Sequence, residues 1–207
     1  MSNSSAPDLF AFDKKISEEG FCRICGVDEA GRGPLAGPVC AAAVVLPADV
    51  VFTGLNDSKK LSVKTRDRLF DEIIEKALDY GVAFVDAEEI DSLNILRATF
   101  LAMRDAVGKL TEKPDIVLVD GNGDPGFNPP SRCIIGGDGK SAAIAAASVL
   151  AKVSRDRYMA EMAKKYPQYG FDKHKGYGTK LHYERLLTYG PSAIHRRTFL
   201  RKLHGGG

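Results

Sequence analysis

The chain has 207 residues, 44% of them hydrophobic, which suits one domain with at most a small appendage. No apolar run approaches the ~18 residues needed to cross a bilayer. Met1 to Pro7 is polar and Ser-rich, without the apolar stretch of a secretory signal, so the expectation is a cytoplasmic protein away from membranes. The net charge is only +2, but residues 152–207 carry 13 Lys and Arg against 4 Asp and Glu, a net of +9, while residues 1–151 carry −7. An acidic body with a basic C-terminal quarter suits a protein that holds metal ions and grips a polyanion. A pair of solvated helices would show the same charges.

Taken in order, Cys22 and Cys25 form a C-x-x-C. No second such pair completes four zinc ligands, and the pair opens a strand rather than a helix, so it reads as buried or half-buried free thiols. The apolar run Ile24 to Val27 reads as a buried strand that delivers two adjacent acids, Asp28 and Glu29. Neighbouring side chains on a regular strand point to opposite faces, so the two acids serve one site only where the strand ends or bends. Gly31, Gly33, Pro34 and Gly37 follow and supply that irregularity, with backbone open to a ligand. Acids beside open backbone N–H groups suggest a cation site next to an anion site; an Asp-Glu pair before a solvated turn is the plainer alternative. Val39 to Leu46 is a second buried strand, expected antiparallel to the first.

The loop Leu55 to Leu61 brings Lys59 and Lys60, either as phosphate contacts or as solvated charges. Ser62 caps a helix whose apolar residues recur from Leu69 to Leu78 and which Gly81 stops. Val82 to Val85 is a short third strand. A helix from Ile95 to Leu110 follows, with Asn94 placed as its cap or toward a ligand. Ile116 to Val119 repeats the logic of the first strand and ends on Asp120. Arg132 to Ile135 is a fifth strand. Asp138 precedes a long helix from Ala142 to about Lys165, where an acid would also serve as a plain cap. The first half of that helix is small and apolar apart from Ser148 and Lys152, which marks a buried central helix. Gly139-Lys140-Ser141 has the end of a phosphate-binding G-x-x-x-x-G-K-[ST] loop, but Ile134 stands where its first glycine belongs.

Pro167 to Thr179 interleaves Tyr169, Phe171, His174, Lys175 and Tyr177, a mixture suited to stacking on a sugar or base beside phosphate and equally to an ordered loop with aromatic anchors. A helix from Thr179 to Leu187 and a basic end complete the chain, and Gly205-Gly206-Gly207 is expected to lack order. Asp28, Glu29, Asp120 and Asp138 thus stand at strand ends and loop–helix junctions. Oxygen ligands with few histidines favour Mg²⁺ or Mn²⁺ over zinc, and a pair of such ions suits phosphodiester hydrolysis. A nucleic-acid-binding module without catalysis explains the basic quarter but not the four acids.

Gly26-Val27-Asp28-Glu29-Ala30-Gly31-Arg32-Gly33-Pro34, Asn56-Asp57-Ser58-Lys59-Lys60-Leu61, Val119-Asp120-Gly121-Asn122, Gly137-Asp138, Ala145 to Val153 and His174-Lys175-Gly176-Tyr177-Gly178-Thr179 together resemble the ordered motif set of bacterial ribonuclease HII, over nearly the whole chain. The resemblance implies an α/β, ribonuclease H-like fold: a five-stranded mixed sheet flanked by helices, with a small helical C-terminal part. It implies an N-terminal extension over 1–20, a catalytic domain over 21–167 and a basic substrate-binding region over 168–207. It also implies a monomeric endonuclease that cuts the RNA strand of RNA–DNA hybrids and incises 5′ of single ribonucleotides embedded in DNA, using two Mg²⁺ or Mn²⁺ ions. By the same resemblance Asp28, Glu29, Asp120 and Asp138 are the metal-binding acids. Gly31, Arg32 and Gly33 meet the ribose 2′-hydroxyl, Tyr177 stacks at the RNA-to-DNA junction, and Asn94, Lys59 and Lys60 touch the strands. Gly139 stands where the family pattern has serine or alanine, a small departure.

Overall fold

The computed structural model describes residues 8–203; the polar Met1 to Pro7 stretch and the terminal glycines lie outside the described residues. Five strands form one mixed sheet in the order β3-β2-β1-β4-β5. The strands are β1 (Ile24–Ala30), β2 (Val39–Val45), β3 (Asp79–Val85), β4 (Ile116–Asp120) and β5 (Ser131–Ile134). β2 pairs antiparallel with both β1 and β3, and β4 and β5 extend the sheet from β1 in parallel. This is the expected fold class, with the expected antiparallel opening pair.

The alternation of β2 explains the layers. Cys40, Ala42 and Val44 face the long helix α5 (Ala142–Lys165), and Ala41, Ala43 and Val45 face α4 (Ile95–Gly108) on the other side. Both inner faces are apolar, so β2 reads as a continuous run with no polar alternation. The alanines of α5 let it lie close on the sheet: a Cβ on Gly26 of β1 would sit 2.1 Å from the Ala143 carbonyl carbon. Position 26 therefore accepts only glycine without displacing the helix.

The elements differ from the sequence expectation at the end of one helix and in two helices left unassigned there. Helix α2 (Val63–Lys76), capped by Ser62 as expected, stops short of Gly81, since Asp79 through Val85 pair with β2. Gly81 is a strand residue whose missing side chain admits the Ala106 carbonyl of α4, 2.1 Å from where a Cβ would be. A short helix α3 (Ala87–Leu93), capped by Asp86, fills what the sequence left unassigned. Within residues 1–20, Leu9–Glu18 form helix α1, which lies against α5; its Asp13 Oδ2 accepts from the Ala143 N–H at 2.8 Å, and burial raises that carboxyl to about 6. The final part holds α6 (Phe171–His174), α7 (Lys180–Tyr189) and a 3₁₀ turn, Arg197–Leu203. The four cysteines are free, with Cys25 and Cys40 buried; Cys22 is exposed rather than half-buried, because it precedes β1 outside the sheet.

Candidate active site

The acids meet where β1 and β4 stop pairing with each other. The β1–β4 ladder ends at Val27↔Val119, so Asp28 and Asp120 emerge side by side at the C-terminal edge of two parallel strands. Asp138 arrives from the 3₁₀ turn Gly137–Gly139 ahead of α5. One carboxylate oxygen from each of Asp28, Asp120 and Asp138 lies within 4.8 Å of the others. Asp138 does not cap α5; Ser141 does, accepting from the Ile144 N–H. β1 runs through both acids to Ala30 instead of ending at them, so Glu29 points away from Asp28, yet both border one cleft of about 320 Å³. The cleft is also lined by Gly31, Arg32, Gly33, Lys59, Asp120 and Tyr177.

Electrostatics set this cluster apart from a solvated turn. Asp28 is almost fully buried, and burial together with Glu29, Asp120 and Asp138 pushes its carboxyl well above the usual range. Glu29 and Asp138 are raised as well, chiefly by burial. Against that stand two cations: Lys59 Nζ lies 3.5 Å from Asp138 Oδ2, and Arg32 lies 3.3 Å from Glu29. Burial alone would lower the Lys59 pKa, but Asp138, Asp28 and Asp57 together raise it. Three converging carboxylates with this little compensation fit hard divalent cations bound through oxygen.

The Gly136-Gly137 turn serves the acids and not a phosphate. The Gly137 N–H donates to Asp120 Oδ1 at 2.6 Å, and Lys140 Nζ donates to the Ile135 carbonyl. Both groups that a nucleotide loop would offer are thus engaged, and the phosphate-loop alternative falls. Of the other expected residues, Lys60 turns away to Asp57 at 3.9 Å. Asn94 is exposed at the head of α4, where its Oδ1 accepts from the Leu96 and Arg97 N–H groups, and it does not line the cleft. In the aromatic loop, Tyr169, Phe171 and His174 are buried anchors; Tyr177, 45% exposed, is the ring presented at the cleft.

Several cleft residues were not expected. Ser148 and Lys152 of α5 line it, and Ser148 Oγ bonds Ser58 Oγ at 2.6 Å, which holds the Lys59 loop against the helix. Behind Tyr177 lies a chain of histidines. His182 Nδ1 donates to the Tyr177 carbonyl at 2.9 Å, since a carbonyl only accepts; His182 Nε2 therefore accepts from His195 Nε2 at 3.0 Å, and His195 Nδ1 accepts from the Ser192 N–H. Every link requires neutral rings, and burial pushes both His182 and His195 down to about 4. Because an unfolded histidine titrates near 6.5, the stability these rings contribute is fully present above about 6.5 and is lost as pH falls toward 4. NMR titration is expected to find both imidazoles still neutral at pH ~5.5; protonation of either near 6.5 would contradict the relay.

A family model described as Ribonuclease HII matches residues 25–202. The ribonuclease HII of Caldicellulosiruptor bescii is 55% identical over 97% of this chain and 97% of its own length. The chain belongs to the ribonuclease HII family. The ribonuclease HII of Endomicrobium trichonymphae is 57% identical over 93% of this chain and 92% of its own. The crystal structure of the ribonuclease H2 from Pyrococcus horikoshii superposes with a TM-score of 0.74 at 29% identity, covering 87% of this chain and 96% of that one. As a ribonuclease HII relative the chain is a metal-dependent ribonuclease H that acts on RNA–DNA hybrids, and the alternative of a binding module without catalysis is set aside. No described helix of this ribonuclease HII relative is long and apolar enough to cross a membrane.

Proposed function

We propose that this enzyme incises duplex DNA on the 5′ side of a single embedded ribonucleotide, and cuts the RNA strand of longer hybrids, by two-metal-ion hydrolysis at Asp28, Glu29, Asp120 and Asp138. The observation that carries the reading is the adjacency of the acidic cluster to the Gly31-Arg32-Gly33 turn and Tyr177 around a single cleft. Divalent ions held there, Mg²⁺ or Mn²⁺, would activate the attacking water and stabilise the leaving oxygen. Asp28, Asp120 and Asp138 position the scissile phosphate's surroundings from one side, and Glu29 borders the cleft beside Arg32. The exposed backbone of Arg32 and Gly33 faces the ribose, whose 2′-hydroxyl is a donor and an acceptor that deoxyribose lacks. A site built to bond a hydroxyl rejects the analogue without it by roughly 10⁴-fold or more. Cleavage leaves a 3′-hydroxyl on the deoxynucleotide and a 5′-phosphate on the ribonucleotide.

Tyr177 lies next to that turn, with its ring 3.8 Å from where a Gly33 Cβ would be, which supports its stacking on the sugar after the ribonucleotide. Lys59, beside Asp138, suits a contact to the strand; Lys60 and Asn94 would reach it only outside the cleft. The basic residues of 168–200 extend the contact along the backbone, working with the catalytic body as a monomer. Tyr177→Ala tests the junction reading. We expect it to lower kcat/KM on a single-ribonucleotide duplex by about tenfold or more, the scale of one lost stack, and to lower it much less on an all-RNA strand paired to DNA. Equal losses on both substrates would remove Tyr177 from the junction.

A further inference from the structure

Two arginines lie buried under the Gly31–Pro38 turn with no carboxylate partner among the described residues. Arg155 of α5 is 1% exposed and Arg196 is 0% exposed. Arg155 donates to the carbonyls of Pro38 at 2.9 Å, Lys175 at 3.0 Å and Ala36 at 3.1 Å. Arg196 donates to those of Gly37 at 2.9 Å, Arg32 at 2.8 Å and Gly31 at 2.6 Å. Its own N–H bonds the Leu35 carbonyl. Buried charges are ordinarily paired, because desolvating an isolated ion is costly. Here the forked guanidinium geometry spreads each charge over three carbonyl dipoles, an arrangement an ammonium cannot copy. Burial, and then the neighbouring Arg155, pushes Arg196 down to about 9, so it stays charged at neutral pH.

The arrangement has a directional consequence. In a trans peptide the C=O of one residue is antiparallel to the N–H of the next. With the Gly31 and Arg32 carbonyls drawn inward onto Arg196, the N–H groups of Arg32 and Gly33 point outward to the cleft, and neither donates to a protein acceptor among the described residues. Gly31 is at φ +95°, and a Cβ there would meet Arg155 Nε at 2.0 Å, so the guanidinium occupies the space that glycine leaves. Arg155 also lies under Tyr177, its guanidinium carbon 6.0 Å from the ring centre, and holds the Lys175 carbonyl that leads into it. One buried pair thus fixes both the turn and the approach to the stacking ring.

We propose that Arg155 and Arg196 are positioning residues that lock the 31–38 turn with its Arg32 and Gly33 amides aimed at the ribose, and so set the discrimination between ribonucleotide and deoxyribonucleotide. This rests on the reading of that turn as the 2′-hydroxyl sensor. Arg196→Lys and Arg155→Lys keep the charge and lose the fork. The readout is the dissociation constant, in non-reactive Ca²⁺, for a duplex with one ribonucleotide and for the same duplex with deoxyribose at that position. Wild type is expected to favour the ribonucleotide duplex. In each variant that preference falls about tenfold, the loss of one well-aimed hydrogen bond, while all-DNA binding holds. Arg157→Lys, on the same helix but over Phe70 at 4.1 Å, is expected to leave the preference intact.

Millimolar guanidinium is expected to restore the preference in Arg196→Ala. Variants that discriminate as wild type does would overturn the proposal; a wild type without preference would instead overturn the sensor reading beneath it. Should the variants not fold, the wild-type protein decides by NMR. Ribonucleotide duplex in Ca²⁺ is expected to shift the Arg32 and Gly33 amides and to leave the Leu35–Gly37 amides in place, with slowly exchanging Nε–H protons on both arginines. Ordering of the 35–37 backbone only upon binding, or fast exchange of those protons, would overturn the preorganised turn.

Discussion

Asp28→Asn is expected to lower turnover by about 10²–10³-fold or more, the scale of losing one preorganised charge-stabilising group, and at the same time to make the metal-free protein more stable. The two effects share a cause. Asp28 is 4% exposed, and its ionised form is opposed by burial and by Glu29, Asp120 and Asp138. Asparagine keeps the oxygen that accepts the Glu29 N–H, a 2.6 Å bond in the native chain, and removes the charge. The expected gain is about 1–2 kcal/mol, typical of relieving strain at a functional site. The acids are raised in the folded state, so their charged forms weaken the metal-free fold as pH rises above the ordinary carboxylate range, and the variant's advantage is expected to grow with pH. Substrate binding survives, since the turn and Tyr177 are untouched. Steady-state rates at saturating Mg²⁺ and thermal melts in chelator check both halves. Near-native turnover, or a less stable variant, would contradict the assignment.

Gly26→Ala is expected to be severely disruptive for a single added methyl. The added Cβ would fall 2.1 Å from the Ala143 carbonyl carbon, 2.2 Å from the Ile144 nitrogen and 2.4 Å from the Ala143 oxygen. All three are backbone atoms in the first turn of α5, so no rotamer change relieves the clash. The helix must lift from β1, and it would carry Ser141 and the Asp138 turn away from Asp28. Overpacking usually costs about 1–3 kcal/mol; with backbone on both sides, the loss here is expected at or above the top of that range. Denaturant unfolding measures it. A cost under about 1 kcal/mol would mean that α5 is not seated as described.

The buried strands and the central helix were legible because burial on both faces leaves an unbroken apolar run, as in Val39–Val45, Ile116–Val119 and the first half of α5. The delivery of Asp120 at a strand end followed from those runs, whereas β1 continues through Asp28 to Ala30 because it stays paired with β2. β3 was legible only in part: its mixed burial blurs into the preceding helix, and it took pairing with β2 to draw Asp79 into the sheet. Helix α3 is too short to show a period; α1 did carry a signal, Leu9, Phe12 and Ile16 at helical spacing behind the Asp8 cap, that the sequence expectation passed over. Arg155 and Arg196 were hidden in a quarter whose charge suggested a surface. A faint signal existed, since Ser148, Lys152 and Arg155 interrupt a small-residue helix at spacings of four and three, which places them on one face. His174, His182 and His195 gave no such signal, because their partners are backbone groups and one another, brought together only by the fold.

The most direct test of the account is a nicking assay on a DNA duplex carrying one ribonucleotide, with an all-DNA duplex as control, in Mg²⁺, in Mn²⁺ and in EDTA. The predicted result is a single metal-dependent cut on the 5′ side of the ribonucleotide, leaving a 5′-phosphate on it, with the control intact and no cut in EDTA. Cutting of long RNA–DNA hybrid without incision at the single ribonucleotide, or a cut that persists in EDTA, would contradict it.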